Sequence, residues 1–230
     1  MIFSKIRRFL ANQILNRLFL NAPEMEITEE KRQSFESLIH PFLIDPNGEE
    51  INYQVSYPKQ EFLRYLVSEK QVLLHGSNHS EIEELKPRSQ SDWNGKPIEA
   101  VFASGDGIWP MFFAVVQHQN YHGSYRNGCF LIRESPDIEN RYYFFSLNRD
   151  YQVKAPWQNG MIYILPKKTF HQTASGTIRF DEWASLYAVK PIAKLSVSPK
   201  DFPFYPQVTW HNEQEKIYTT WLKFKKRIST

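Results

Sequence analysis

Apolar positions fall at helical spacing over the first third of the chain and in short runs or alternations after it. Ile2, Ile6, Phe9, Leu10, Ile14 and Leu18 recur at helical intervals, which predicts an N-terminal helix docked on the body by that face. The alternative, a basic amphipathic membrane anchor, needs a basic polar face that this segment has only in part. Asn12, Gln13, Asn16 and Arg17 interrupt the continuous apolar stretch a signal peptide would require, and no run reaches the length of a membrane span. Thr28 predicts the N-cap of a second helix carrying Phe35, Leu38, Ile39 and Phe42 on one face, with Pro41 and Pro46 marking its end. Asp45-Pro46-Asn47-Gly48 is a strong turn, and the alternation of Ile51, Tyr53, Val55 and Tyr57 reads as a short strand or extended segment. Pro58 opens a third helix with Phe62, Tyr65 and Leu66 on one face.

Val72-Leu73-Leu74 then runs into His75-Gly76-Ser77, a buried strand that stops on an imidazole, a bare backbone and a hydroxyl. Ser80 to Leu85 predicts a helical turn, Ser89 to Gly95 a polar loop, Ala100 to Ser104 a second strand, and Gly107 to Val116 a buried helix with Pro110 in its first turn. Further strands are predicted at Cys129–Ile132, Tyr142–Phe145, Met161–Leu165 and Ile192–Val197, with turns at Asn127-Gly128, Asn159-Gly160 and Pro166 to Lys168. Strands clustered after early helices indicate an α+β class, not a βαβ repeat. Residues 1–58 read as a mostly helical extension and 59–230 as the main domain, with no Gly- or Ser-rich linker between them.

Composition narrows the chemistry. Apolar residues make up 41% and aromatics 15% of the 230 residues, which is globular and not disordered. A net charge of +3 is too small to argue by itself for nucleic-acid binding. The single Cys129 excludes an intrachain disulfide and suits a reducing, cytoplasmic setting; flanked by Gly128 and Phe130, it reads as a buried small hydrophobe. His75, His79, His118, His122 and His171 lack metal-ligand spacing, so no metal site is expected. The basic-aromatic segment Trp221 to Arg227 is a candidate for contact with nucleic acid or an anionic surface, though a charged tail beside a packed aromatic pair is the commoner arrangement.

Three segments in order, Leu74-His75-Gly76-Ser77, Val101-Phe102-Ala103-Ser104 with its following helix, and Asp181-Glu182-Trp183, resemble the motifs of the ADP-ribosyltransferase superfamily. The likeness is greatest to its poly(ADP-ribose) polymerase branch and spans residues 71–200, about half the chain. The resemblance implies a split β-sandwich that binds NAD between its sheets and transfers ADP-ribose to an acceptor or cleaves NAD. It further implies that His75 bonds the adenosine ribose, that Gly76 backbone groups hold the carboxamide, and that Ser77 contacts the nearby ribose. Glu182 would hold the nicotinamide-ribose hydroxyl and stabilise the charge that develops as nicotinamide leaves. Val101 stands where the motif has tyrosine, so ring stacking would fall to Phe102 and to Phe112 on the following helix. Phe180 stands where arginine-modifying relatives carry Glu or Gln, which argues against an arginine acceptor.

Other readings stand beside this one. A lone His-Gly-Ser also fits a histidine that satisfies a turn, and Asp181-Glu182 fits a solvated strand edge. The same scaffold without catalysis would be a nucleotide-, nucleic-acid- or protein-binding module. An interaction protein with an accidental motif likeness is the third possibility.

Overall fold

The computed structural model describes residues 10, 12–92, 95–117, 123–133, 139–150, 156–174, 176 and 178–228. Helix α1 covers 12–18, and strand β1 (Leu20–Asn21) leads to α2 (Glu29–Ile44) and α3 (Lys59–Glu69). The middle of the chain forms β2 (Val72–Ser77), β3 (Arg88–Ser91), β4 (Pro97–Ala103), α4 (Trp109–Val115), β5 (Tyr125–Arg133) and β6 (Glu139–Asn148). The last part forms β7 (Gly160–Pro166), β8 (His171–Gln172), β9 (Ile178–Phe180), β10 (Trp183–Ser185), β11 (Ala193–Val197), β12 (Thr209–His211) and α5 (Ile217–Ile228). The class is α+β, with mostly antiparallel pairing.

Two layers of strands enclose α4. One sheet runs β1-β6-β5-β9, with β12 parallel to the far end of β6. The other layer is β11-β7-β2, which meets β3-β4-β10-β8 through one antiparallel bridge, Leu74 to Ser104. Both faces of β2 and β7 are covered: Leu74, Ile162 and Ile164 face the main core, while Leu73, Tyr163 and Leu165 face a second cluster with Val101. That double burial is why Val72-Leu73-Leu74 is continuously apolar. Helix α4 crosses β2 and β7 where neither carries a side chain. A Cβ on Gly76 would lie 1.9 Å from the Pro110 carbonyl oxygen, and one on Gly160 would lie 1.9 Å from that of Ala114. On the other side of α4, Phe112 packs on Phe145 of β6 at 4.9 Å between ring centroids.

Several expectations are corrected. The N-terminal helix docks through Asn12, whose Oδ1 accepts the Tyr142 hydroxyl at 3.0 Å, whereas Leu10 and Ile14 face outward at 53% and 56% exposure. Ile2, Ile6 and Phe9 lie outside the described residues. Thr28 does cap α2, but the helix continues through Pro41 to Ile44 and ends where the Asp45 N–H bonds Pro41. A proline this close to a helix end removes only one ladder bond. Residues 80–85 form no helical turn, because Tyr163 takes the Ile82 N–H and Val189 pairs with Leu85. Asn127-Gly128 is not a turn but the interior of β5, where a Cβ on Gly128 would press on the Phe130 and Phe180 rings at 3.1 Å. Arg88 to Ser91 is an exposed edge strand, not part of a loop. Separately, Phe35, Ile39 and Ile51 share one buried cluster with Phe62, Leu66 and Phe145, so described residues on both sides of position 58 contribute to it.

Candidate functional site

The ladder phase of β2 decides what its tip presents. Leu74 exchanges both backbone hydrogen bonds with Ser104, each at 2.9 Å, so its N–H and C=O point away from β7. Antiparallel pairing alternates by residue, and the Gly76 N–H and C=O therefore also point to the β4 side. The bridge is a single pair: in the antiparallel sense Gly76 lies opposite Phe102, but Phe102 gives its carbonyl to the His75 ring, and the two sheets are not paired beyond Leu74 on this side. The glycine itself is required by α4, since its missing Cβ position is filled by the Pro110 backbone.

His75 is fixed by β4. Its Nδ1 lies 2.7 Å from the Phe102 carbonyl oxygen, which must accept, so Nδ1 carries the proton and Nε2 is left as an acceptor. Burial lowers its pKa, outweighing the raising effect of that carbonyl, and the ring is neutral near pH 7. The register of β10 on β4, Trp183 to Ala103 and Ala184 to Phe102, places Glu182 across from Ser104. Glu182 sits one residue before β10 begins, with its Oε1 accepting the Thr173 hydroxyl at 2.8 Å.

These three segments open on one cavity of about 560 Å³, within the range of small-molecule sites. Leu74, His75, Gly76, Phe102, Ser104 and Glu182 all line it. Trp109, Phe113 and Tyr125 form an aromatic wall, with Phe113 lying 5.8 Å from Trp109 and 6.1 Å from Tyr125 between centroids. The Trp109 indole is held by Asn127 Oδ1 at 2.6 Å. Phe180 adds an apolar surface two residues before Glu182. Among the described lining residues Asp92 and Glu182 are acidic and none is Lys or Arg.

Two of the expected site residues lie elsewhere. Phe112 is fully buried against Phe145 and Phe202, and its neighbour Phe113 supplies the ring that reaches the cavity. A helix of seven residues on strands gives adjacent positions different faces, and spacing alone does not say which faces inward. Ser77 is outside the cavity lining, its hydroxyl accepting the His79 N–H at 3.1 Å. Val101 faces the second core cluster, leaving Phe102 as the β4 ring in the cavity.

Behind the cavity lies an ionic network with no sequence motif. Asp181 is 2% exposed, so it is not a solvated edge. Its carboxylate accepts from Arg141 and, at 3.0 Å, from the Trp183 indole, and Ser104 Oγ lies 3.4 Å away. Arg141 also approaches Asp106 at 3.7 Å and Glu139 at 2.7 Å. Asp106 accepts the Tyr143 hydroxyl at 2.7 Å and caps α4 through the Ile108 and Trp109 N–H groups at 2.9 and 2.5 Å. The network thus ties the first turn of α4 to the residue preceding Glu182. Cys129 is fully buried nearby, and burial pushes its thiol well above the ordinary range.

A second buried histidine is expected to make the fold acid-sensitive. His211 is fully buried between Ser146 Oγ at 2.8 Å and Ser124 Oγ at 3.0 Å, joining β12 to β6. Burial lowers its pKa from 6.5 to about 4, and burial lowers that of His75 in the same direction. A histidine with a depressed folded-state pKa binds its proton more readily when unfolded. Its contribution is therefore complete above about pH 6.5 and fades as pH falls toward 4. Urea unfolding across that window is expected to show a loss of roughly 3 kcal/mol at the acid end, and His211→Gln should flatten much of the slope.

No protein-family model matches the chain, and no curated protein or solved structure matches it significantly.

Proposed function

We propose that this chain is an ADP-ribosyltransferase-like protein that binds NAD in this cavity and transfers ADP-ribose to an acceptor or cleaves NAD. The observation that carries the reading is the convergence of His75, Gly76, Phe102 and Glu182, from three separate segments, on one cavity. Two strand layers that part beside Gly76 support a split β-sandwich of that kind.

The residues present fit the nicotinamide-ribose end of NAD. NAD supplies a ribose C1′ bonded to a cationic ring that leaves as neutral nicotinamide with the bonding pair. Gly76 offers a donor and an acceptor side by side, the complement of a carboxamide. Phe102, Phe113 and Tyr125 offer ring faces, and described lining residues that include Asp92 and Glu182 but no Lys or Arg favour a cationic ring. The neutral His75 Nε2 accepts a ribose hydroxyl. Glu182 bonds a hydroxyl of the reacting ribose and stabilises the positive charge that builds at C1′ as the glycosidic bond breaks. An acceptor hydroxyl or water then adds to C1′ and releases its proton to solvent.

Calorimetry with NAD, paired with a nicotinamide-release assay, tests the reading. Glu182→Gln is expected to lower nicotinamide release by about 100-fold or more while NAD affinity changes by less than about fivefold. Absence of both heat and release would reject it. A second reading is a catalytically inactive nucleotide-, nucleic-acid- or protein-binding module on the same scaffold, since no Lys or Arg stands among the described lining residues to hold the pyrophosphate in a reactive pose. NAD heat without nicotinamide release would select that reading.

A further inference from the structure

Helices α1 and α5 cover the same outer face of the five-stranded sheet, opposite the core. Tyr142 and Phe144 share that face of β6 by alternation. The Tyr142 hydroxyl bonds Asn12 of α1, and the Phe144 ring packs at 4.8 Å on Phe224 of α5. Helix α5 docks by Thr220 and Phe224, which are both fully buried. Its outward side carries Ile217, Tyr218 and Leu222 at 68%, 63% and 42% exposure. With Ile14 of α1 and Leu10 just before it, five large apolar side chains stand exposed on this side of the sheet.

The charge around them is one-sided. From Lys216 to Arg227 the chain has Lys216, Lys223, Lys225, Lys226 and Arg227 and no acidic residue, although its total charge is only +3. Lys223 is engaged by Glu215, while Lys225 lies 6.0 Å over the Trp221 ring. The Trp221 indole N–H is occluded and has no hydrogen-bond partner among the described residues. No described helix is long and apolar enough to cross a membrane, so any bilayer contact here would be a surface contact.

We propose that this face is a docking surface for an anionic lipid bilayer, with α5 lying in the headgroup plane. Interleaved cations and aliphatic side chains are the chemistry such an interface selects, because cations meet lipid phosphates while Leu and Ile enter the acyl boundary. Nucleic acid would use the cations and the rings but gives Leu10, Ile14, Ile217 and Leu222 nothing to stack on. The surface lies on a different sheet from β2, β4 and β10, so the proposal is independent of the activity assigned to the cavity.

The test is co-sedimentation of the full chain with vesicles of equal parts phosphatidylcholine and phosphatidylglycerol, against vesicles of phosphatidylcholine alone. Binding is expected to the anionic vesicles only and to weaken at high salt. Tyr218→Asp with Leu222→Asp, and separately Lys225→Glu with Lys226→Glu, are each expected to reduce it about tenfold or more. Tyr218, Leu222 and Lys226 are exposed and Lys225 is half-buried over the Trp221 ring, and unchanged urea midpoints would show that the variants fold. Absence of binding to anionic vesicles, or binding insensitive to both pairs, overturns the proposal. So does a dimer in sedimentation velocity that the Asp pair dissociates, or single-stranded DNA binding lost with the same residues while vesicles fail to bind.

Discussion

Gly76→Ala is expected to cost at least roughly 3 kcal/mol and to leave little folded protein, with Gly160→Ala close behind. The new methyl would lie 1.9 Å from the Pro110 carbonyl oxygen in one case and from the Ala114 oxygen in the other. Both obstacles are helix backbone, which has no alternative rotamer, so the only relief is to lift α4 off β2 and β7. Lifting α4 would pull Phe112 from its contact with Phe145 and break the Asp106 cap. Gly95→Ala is the control. It has φ of +77° with nothing within 4 Å of the Cβ position, so only about 1 kcal/mol of backbone strain is expected. Equilibrium unfolding of the three variants checks this, and a Gly76→Ala midpoint close to wild type would overturn the wedge description of α4.

Arg141→Met is expected to cost about 3–5 kcal/mol, because it removes the cation from two buried carboxylates and leaves both in place. Asp106 and Asp181 are 1% and 2% exposed. Each keeps neutral donors, Tyr143 for Asp106 and Trp183 for Asp181, so the fold should survive at reduced stability. Arg141→Met with Asp181→Asn is expected to recover part of the loss, since one uncompensated charge disappears. A double variant less stable than Arg141→Met alone would show that the two groups are not coupled in this way. The same variants bear on the cavity, because Asp181 immediately precedes Glu182. If nicotinamide release is observed, it should fall in Arg141→Met at temperatures where the protein is fully folded.

The long apolar segments were legible because their periodicity is set by burial. Phe35 and Ile39 on α2, Phe62, Tyr65 and Leu66 on α3, and the cores of β2, β5, β6, β7 and β11 all lie in or beside the segments predicted to hold them. The short strands were not legible. β3 is exposed throughout, and β8, β9, β10 and β12 have two or three residues each, too few for any period to show. They exist because neighbouring strands satisfy their backbone groups.

The chain alone also determined which residue types stand at the cavity, a histidine and a glycine at one strand tip, a phenylalanine on the next, and a glutamate 107 positions after His75. Tertiary structure decided which of them meet. The Leu74–Ser104 bridge and the β4–β10 register bring His75, Phe102 and Glu182 to one opening. The placement of α4 on two glycines turns Phe112 into the core and Phe113 to the cavity. Asp181 looked like a solvated neighbour of Glu182 until Arg141, 40 residues away, was placed against it. Burial patterns are written locally, one turn or one strand at a time. The pairing of a charge with its counter-charge, or of a ring with an opening, depends on segments whose separation in sequence carries no period to read.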